Sequence, residues 1–349
     1  MSPRSLILSV SLSCLLGTAT VQAQQPAVDG ETIATPDLVK AACDEGAVTY
    51  YTAQSDDDER AIARPFQQRF PCVSVSVISA VTGRLYERIE TEFQAGKVVG
   101  DVAILTDEAL VQKLIDAKRI RPWNSPVAAQ YPASAKLEGW WYAASGSIMI
   151  PVYNTDSVGK QDAPKSWQDL LDPKWQGKLA TSPITIGGTA WAAFDFLKEK
   201  FGRDYLVRFA AQQPKLLPAY NQVVLSIARG EQSIGVVSAL NEYPLRVAQG
   251  APIAPVYPPE GSPYTNYPMV LLANSPHPHA AELFANWYLS KEGQTTLVKQ
   301  RGAYSVRADV TPAAGNPPLA QLHPWSPGHV TAQAHDALVA EVSQILGSR

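Results

Sequence analysis

Between residues 47 and 118 the sequence alternates short β-branched runs with amphipathic stretches, and this alternation constrains the fold more than any other feature. The runs predict strands at residues 47–52, 73–78 and 101–105. The clearest helical pattern covers residues 82–96, where Leu85, Ile89 and Phe93 recur on one face. Strands that alternate with helices in this way predict a mainly parallel sheet with crossover helices on its faces.

The loops that follow these strands are the first candidate binding positions. Ligands of open parallel sheets bind beyond the carboxyl ends of the strands, where the chain turns into the next helix. Here those loops cover residues 52–55, 79–84 and 106–107. A further helix is predicted at residues 56–70, with a kink or break at Pro65 because proline removes a helical hydrogen bond. The last predicted helix covers residues 331–346.

Composition bounds the size of the fold and the kinds of partner. A chain of 349 residues is too long for one small core and suits two lobes. Only 17% of the residues are charged and the formal net charge is −3, which gives no basic stripe for nucleic acid. All five histidines lie late in the chain, and no GxSxG, HExxH or P-loop motif occurs. We therefore expect neither an enzyme nor a nucleic-acid-binding protein.

The N-terminal segment has the three parts of a secretory signal peptide. One positive side chain precedes the uncharged apolar run at residues 6–16, and Val21-Gln22-Ala23 supplies small residues at the cleavage position. The run is shorter than the roughly 20 residues that a membrane span needs. A lipoprotein is the alternative, but Cys14 lies within the run and not after it. We expect residues 1–23 to be removed by cleavage after Ala23.

The cysteines agree with export. Cleavage removes Cys14 and leaves Cys43 and Cys72, and an even pair in an oxidising compartment is most simply a disulfide. Each precedes a predicted strand, so the two lie side by side if those strands are parallel neighbours. Two buried thiols or a metal-binding pair are the alternatives, although no histidine lies nearby in the sequence.

Several stretches of the chain are similar to the motifs of one known family. Two of them are Ser-Trp-Gln-Asp-Leu-Leu-Asp-Pro-Lys-Trp-Gln-Gly-Lys at residues 166–178 and Ser-Pro-His-Pro-His-Ala-Ala-Glu-Leu-Phe at residues 275–284, which is followed by Ser-Lys-Glu-Gly-Gln at 290–294. Two more are Val-Tyr-Asn-Thr at 152–155 and Arg-Gly-Glu at 229–231. In their order and spacing, from about residue 45 to 310, these stretches resemble the iron(III)-type periplasmic binding proteins of ABC transporters. In that family the first is similar to a mid-chain signature, and residues 152–155 and 229–231 resemble the segments around the two chain crossings.

The resemblance implies an α/β fold of two lobes, each a mainly parallel sheet flanked by helices, joined by two crossing strands. We expect residues 24–146 plus 242–349 in the N-terminal lobe and residues 147–241 in the C-terminal lobe. It also implies a periplasmic, monomeric protein that holds one small ligand in the cleft by hinge closure, because a ligand touching both lobes favours the closed state. An inner-membrane permease and ATPase are the implied partners, and no cofactor is implied.

At the positions where the family's iron binders carry their ligands, this sequence departs from the pattern. The first-loop histidine position falls on Gln54 or Ser55, the acid position on Asp107, and the paired-tyrosine position on Leu240 and Asn241. Phenolates are the hard anionic oxygens that make such a site tight for ferric ion. Their absence disfavours direct iron binding, and we predict no metal ligands.

Two segments have the features of anion-binding loops. Thr82, Gly83 and Arg84 open a predicted helix, where backbone N–H groups and the helix dipole favour negative charge. Gly187, Gly188 and Thr189 do the same in the second lobe. The alternatives are a threonine cap, an ordinary Gly-Gly turn, and an Arg84 that pairs with Glu87 on a solvated face.

Aromatic and amide side chains complete the candidate set. Four tyrosines lie near predicted crossings or loop ends: Tyr220, Tyr243, Tyr264 and Tyr267. Of these we select Tyr220 and Tyr243 as ligand contacts, together with Asn221 and Asn241 as hydrogen-bond donors, although most such tyrosines serve packing.

Three functions are compatible with these residues. The first is capture of a small organic anion, a phosphonate, sugar phosphate or carboxylate, for an ABC importer. The second is binding of ferric ion or a ferric chelate through Asp107, Tyr243 and an exogenous chelator. The third is a ligand-sensing subunit that presents its closed form to a membrane receptor.

Overall fold

The computed structural model describes residues 27–239, 247, 250–327 and 330–347. The predicted signal peptide lies outside these residues, as do Leu240, Asn241 and Tyr243. Within the described part of the chain, no helix is both long and apolar enough to cross a bilayer.

The helices mostly follow the predicted amphipathic segments. They are α1 (Pro36–Glu45), α2 (Asp56–Arg69), α3 (Thr82–Gln94), α4 (Glu108–Asp116), α5 (Gly188–Phe201), α6 (Arg203–Ala211), α7 (Tyr220–Ala228), α8 (Pro278–Leu289), α9 (Lys291–Arg301) and α10 (Ala332–Leu346). Sequence reasoning missed α6 and α9. We predicted a kink or a break at Pro65. The chain does not break there, because α2 continues through that residue. Ile62 and Phe66 on either side of it are fully buried, and their packing holds the helix together.

The strands combine parallel and antiparallel pairs. They are β1 (Ala27–Val28), β2 (Glu31–Thr32), β3 (Ala47–Thr52), β4 (Ser74–Ser79), β5 (Val102–Ile104), β6 (Ile120–Arg121), β7 (Lys136–Leu137), β8 (Trp141–Asn154), β9 (Leu179–Thr181), β10 (Lys215–Leu216), β11 (Ile234–Ala239), β12 (Ile253–Pro255), β13 (Ser262–Leu272) and β14 (Pro324–Trp325). The main sheet runs in the order β10-β9-β11-β8-β13-β5-β3-β4. The pairs β3–β4, β3–β5, β9–β11 and β9–β10 are parallel, as the alternation predicted.

Two long strands carry the chain between the two halves of this sheet. Every residue of β8 and β13 is buried. Residues 142–148 of β8 pair antiparallel with β13, and residues 149–153 pair antiparallel with β11. The change of partner between Ile148 and Met149 marks the crossing from one lobe to the other.

Each lobe has hydrophobic residues on both faces of its part of the sheet. In the first lobe, Tyr50 packs with Phe66 and Phe284, whereas the adjacent Tyr51 packs with Leu85 and Ile89, as strand alternation requires. The first lobe thus contains β3–β5, α1–α4, α8 and α9. The second lobe contains β9–β11 and α5–α7, with one cluster around Trp167, Phe196 and Phe209 and another around Val223 and Ile227.

The C-terminal helix α10 packs on the second lobe. Its Leu338 and Val342 belong to the cluster of Phe196 and Phe209, and Glu341 pairs with Lys198 at 2.6 Å. This packing differs from the predicted membership of residues 242–349 in the N-terminal lobe. After α9 the chain returns to the second lobe, where the apolar side of α10 packs against α5 and α6.

The predicted disulfide is confirmed. Cys43 near the end of α1 and Cys72 before β4 are bonded, with their Cα atoms 5.0 Å apart. The strands that follow are parallel neighbours, with Ala47 opposite Ser74, so their starts lie together as the sequence indicated. The bond closes a loop that contains all of α2.

Reduction of this disulfide should destabilise the protein. The two cysteines are 29 residues apart, and a crosslink over a loop of that length contributes roughly 3–4 kcal/mol by restricting the unfolded chain. We expect reductant to lower the midpoint of thermal unfolding of the mature protein by at least about 5 °C. The Cys43→Ser/Cys72→Ser variant is the control: it should match the reduced wild type and show no response to reductant. Equal midpoints for oxidised and reduced wild type would contradict a stabilising role.

Candidate functional site

A cavity of about 170 Å³ lies where loops of the two lobes meet. Its lining comes from strand ends and helix starts on both sides and includes one residue of the crossing strand β13. The lining residues are Ala53, Gln54, Val81, Thr82, Thr106, Ile186, Gly187, Thr189, Pro218, Ala219, Tyr220 and Tyr267. We refer to this cavity as the cleft. No charged side chain is among the described residues that line it.

Three helices begin at the cleft. The residues that precede their first turns, Val81 of α3, Gly187 of α5 and Ala219 of α7, all line it. None of these three residues accepts a side-chain hydrogen bond from the first turn. Among the other described helices, a side chain caps the first turn of α1, α4, α9 and α10, whereas α2, α6 and α8 have no side-chain cap. Three helix N-termini therefore direct their partial positive charge at one small space.

Hydroxyl groups connect the walls of the cleft. The Thr82 side chain is buried, and its Oγ1 lies 2.9 Å from Thr106 Oγ1 and accepts from the Thr106 amide at 3.1 Å. Thr82 is the first residue of α3 and not its N-cap, which is Val81, and its hydroxyl bonds the neighbouring loop. Across the cleft, Thr189 Oγ1 donates to the Tyr267 hydroxyl at 3.3 Å.

Tyr220 contributes an unpaired polar group. Its hydroxyl is buried and has no hydrogen-bond partner among the described residues. Burial, reinforced by the nearby Tyr267, raises the pKa of Tyr220 well above its ordinary value, so the phenol stays protonated. A buried hydroxyl without a partner costs about 1–3 kcal/mol. A ligand that accepted its hydrogen bond would recover that cost.

Gln54 is held by a residue that sequence reasoning missed. Arg301, the last residue of α9, donates to Gln54 Oε1 and is almost fully buried. Nothing in the local sequence relates the two residues, which are 247 positions apart. Tyr267, which we considered but did not select, also lines the cleft.

The structure brings together part of the predicted site. Five selected residues line the cleft: Gln54, Thr82, Gly187, Thr189 and Tyr220. Four are exposed and do not line it: Ser55, Gly83, Arg84 and Asn221. Among the residues that the structure describes, Arg84 has no ion pair, so the alternative pairing with Glu87 is not observed. The role of these four residues in binding stays a prediction.

Asp107 and Gly188 line a second, larger cavity of about 450 Å³. Of the charged groups there, Asp107 pairs with His335, Lys136 pairs with Glu138, and Glu108 accepts a hydrogen bond from Asn266 Nδ2 at 3.0 Å. Asp107 also caps α4 by accepting from the Ala109 amide at 3.0 Å. This carboxylate is therefore not free to ligate a metal in the cleft. The described residues contain no group of three or more His, Cys, Asp or Glu side chains placed to hold a metal ion.

The two lobes touch at Gly188. A Cβ atom on this residue would overlap the carbonyl oxygen of Thr106 and lie 2.7 Å from Asp107 Cα. Glycine is required here because the backbone of α5 approaches the loop between β5 and α4 so closely.

A second lobe-to-lobe contact comes from α10. His335 Nε2 donates to Asp107 Oδ2 at 3.1 Å, and Asp336 lies 3.6 Å from Lys113 Nζ. The His335 ring stacks on Trp191 at 5.6 Å between centroids, which fixes its orientation. Although burial lowers it, the carboxylates of Asp107 and Asp336 raise the pKa of His335 above its ordinary value.

A Gly188→Ala substitution should impair closure of the lobes. The added methyl group would displace α5 from Thr106, so the ligand would lose contacts with one wall. We expect at least tenfold weaker ligand binding by calorimetry and a larger radius of gyration by X-ray scattering with ligand present. Gly159→Ala is the matched control, because a Cβ there meets only Asp162 Oδ2 at 3.4 Å. Unchanged affinity in Gly188→Ala would show that the contact does not limit binding.

The His335–Asp107 contact should make stability depend on pH. Because the folded-state pKa of His335 is raised, its contribution is fully present below the unfolded value of about 6.5 and is lost as pH rises through the folded value. The difference in thermal midpoint between wild type and His335→Gln should therefore be largest near pH 6 and shrink towards pH 9.

The Asp107→Asn variant tests whether Asp107 is the partner, since asparagine still caps α4. In that background His335→Gln should have a smaller effect at low pH. Parallel pH curves for wild type and His335→Gln would refute the contribution of the charged pair.

The chain matches known proteins over most of its length. The model of a family described as bacterial extracellular solute-binding protein matches residues 99–324. A Haemophilus influenzae protein described as uncharacterized is 33% identical over 216 residues, which cover 55% of this chain and 59% of that protein. The Fe(3+)-binding periplasmic protein of Serratia marcescens is 25% identical over 242 residues, covering 66% and 70%.

Solved structures agree on the fold. The periplasmic binding protein AfuA from Actinobacillus pleuropneumoniae, with exogenous fructose-6-phosphate bound, superposes with a TM-score of 0.76 at 22% identity. The match covers 87% of this chain and 99% of that protein. Such a likeness confirms the two-lobe α/β architecture. The chain belongs to the family of bacterial extracellular solute-binding proteins, which are binding proteins and not enzymes.

Proposed function

We propose that the protein is exported to the periplasm after cleavage at Ala23 and captures a small organic anion for an ABC importer. The ligand, a phosphonate, a sugar phosphate or a carboxylate, binds in the cleft and holds the lobes closed. The mature protein, a monomer, then delivers it to an inner-membrane permease and ATPase.

One observation carries the choice of an anion: three uncapped helix N-termini converge on a cleft whose described lining has no carboxylate. Unpaired amides at helix starts form a site for phosphate or carboxylate. Tyr220 and Gln54 add side-chain donors, one from each lobe. The volume of about 170 Å³ is below the range of drug-sized pockets, which favours the smaller anions.

The second candidate is a ferric chelate, favoured by the two tyrosines, Tyr220 and Tyr267, that line the cleft. Ferric ion prefers anionic oxygen ligands. Burial raises the pKa of Tyr220, and the described lining offers neither carboxylate nor imidazole, so the anion is the better match. The relatives support both, since one is named for Fe(3+) and another holds fructose-6-phosphate.

Thermal unfolding against a ligand panel tests the proposal. The panel contains methylphosphonate, fructose 6-phosphate, succinate and ferric citrate, added to the purified mature protein. A ligand at 100 times its Kd stabilises the folded state by about 2.7 kcal/mol, which gives a clear shift in midpoint. We expect a shift with at least one of the three iron-free anions. A shift with ferric citrate alone, accompanied by a visible charge-transfer band, would instead support the ferric candidate.

Tyr220→Phe tests the site itself. The change removes only the hydroxyl, and a hydrogen bond to a charged ligand is worth about 1.5–3 kcal/mol, so affinity for the anion should fall about tenfold or more. Tyr205→Phe is the matched control: its buried hydroxyl donates to the Trp167 carbonyl within the second lobe, away from the cleft. It should lower stability but leave calorimetric affinity unchanged. Equal affinities for Tyr220→Phe and wild type would remove Tyr220 from the site.

A further inference from the structure

We propose that Arg301 orients the amide of Gln54 so that its NH₂ group faces the cleft, which makes Gln54 a fixed donor that selects ligands with an acceptor at that position. This inference rests on the proposed function and adds a residue that sets the specificity of the same site. Arg301 does not line the cleft, so its part is to position Gln54.

Arg301 is held at one end of its guanidinium by a buried carboxylate. Its Nη1 lies 3.2 Å from Glu59 Oε1, and both side chains are nearly inaccessible. Glu59 Oε2 also accepts from the hydroxyls of Tyr50 at 3.1 Å and Tyr288 at 3.0 Å. Burial raises the pKa of the Glu59 carboxyl, and Arg301 with the two hydroxyls opposes that rise. Moving Arg301 away from Glu59 would leave both groups as unpaired buried charges. The ion pair therefore holds the guanidinium in a fixed position.

The other end of the guanidinium determines which way the Gln54 amide points. Arg301 Nη2 donates to Gln54 Oε1. Arginine has only donors, whereas a glutamine amide has one acceptor end and one donor end. The oxygen must therefore face Arg301. Among the described residues, no group accepts from Gln54 Nε2, so both of its N–H groups are available to a ligand.

The backbone of Gln54 is fixed as well. The backbone N–H of Gln54 donates to Thr52 Oγ1 at 3.1 Å, and its backbone carbonyl oxygen accepts from Ser79 Oγ. The residue therefore presents its side chain from a rigid loop between β3 and α2. A donor held in this way favours an anionic oxygen, and it adds to the field of the three helix N-termini.

Gln54→Glu is the discriminating variant. It keeps the shape of the side chain and its contact with Arg301, but it replaces the free donor with an acceptor. We expect at least 100-fold weaker binding of methylphosphonate, fructose 6-phosphate or succinate by calorimetry, with the thermal midpoint of the ligand-free protein maintained. Gln68→Glu, at an exposed position of α2, adds the same charge outside the cleft and should bind like wild type. Binding by Gln54→Glu within threefold of wild type would overturn the inference and leave the proposed function intact.

A second comparison tests Arg301. Because Arg301 acts only through Gln54, Gln54→Ala and Gln54→Ala/Arg301→Lys should bind the same anion equally, each about tenfold weaker than wild type. Lysine keeps the charge beside Glu59 but cannot contact both partners with a planar fork. A double variant weaker than Gln54→Ala would show that Arg301 acts on the ligand by another route and would overturn its positioning role. Failure of wild type to bind any of the three anions would overturn both the inference and the proposed function.

Discussion

The antiparallel pairing of β8 with β13 is the constraint on which the rest of the structure depends. Both strands are buried throughout, and their backbone groups must be hydrogen-bonded to a neighbouring strand because no water reaches them. The change of partner on β8, from β13 to β11, therefore joins the sheets of the two lobes without a break. This change of partner also places the strand ends of one lobe opposite the helix starts of the other. The cleft lies where these two sets of termini meet.

The chemistry of the cleft follows from that placement. The first turns of α3, α5 and α7 leave amide groups without side-chain caps, and the described lining adds hydroxyls and one amide but no charge. The acid that the family resemblance offers as a metal ligand, Asp107, is instead used to cap α4 and to contact His335 of the opposite lobe. What remains in the cleft is a set of donors. This set suits an anion because it supplies positive potential without a carboxylate that would repel it.

Much of the first lobe and part of the site could be predicted from the sequence. Strand and helix periodicity located β3, β4, β5 and the helices between them, and the parallel neighbours explained the disulfide between Cys43 and Cys72. Gln54, Thr82 and Gly187 were selected because they follow strands or precede helices, which is a local property. Arg301 was missed because its relation to Gln54 spans 247 residues and leaves no local pattern. The lobe to which α10 belongs was missed for the same reason.

The sequence by itself determined the main strands and helices between residues 36 and 118, the disulfide, the family and several of the loops that line the cleft, because each depends on residues close together in the chain or on motifs read in order. Only the tertiary structure decided which of those loops meet. It separated Asp107 from the cleft by pairing it with His335, brought Gly188 against Thr106, and placed Arg301 behind Gln54. These outcomes depend on side-chain packing and hydrogen bonding between distant segments, whose free energies are realised only when the lobes are assembled.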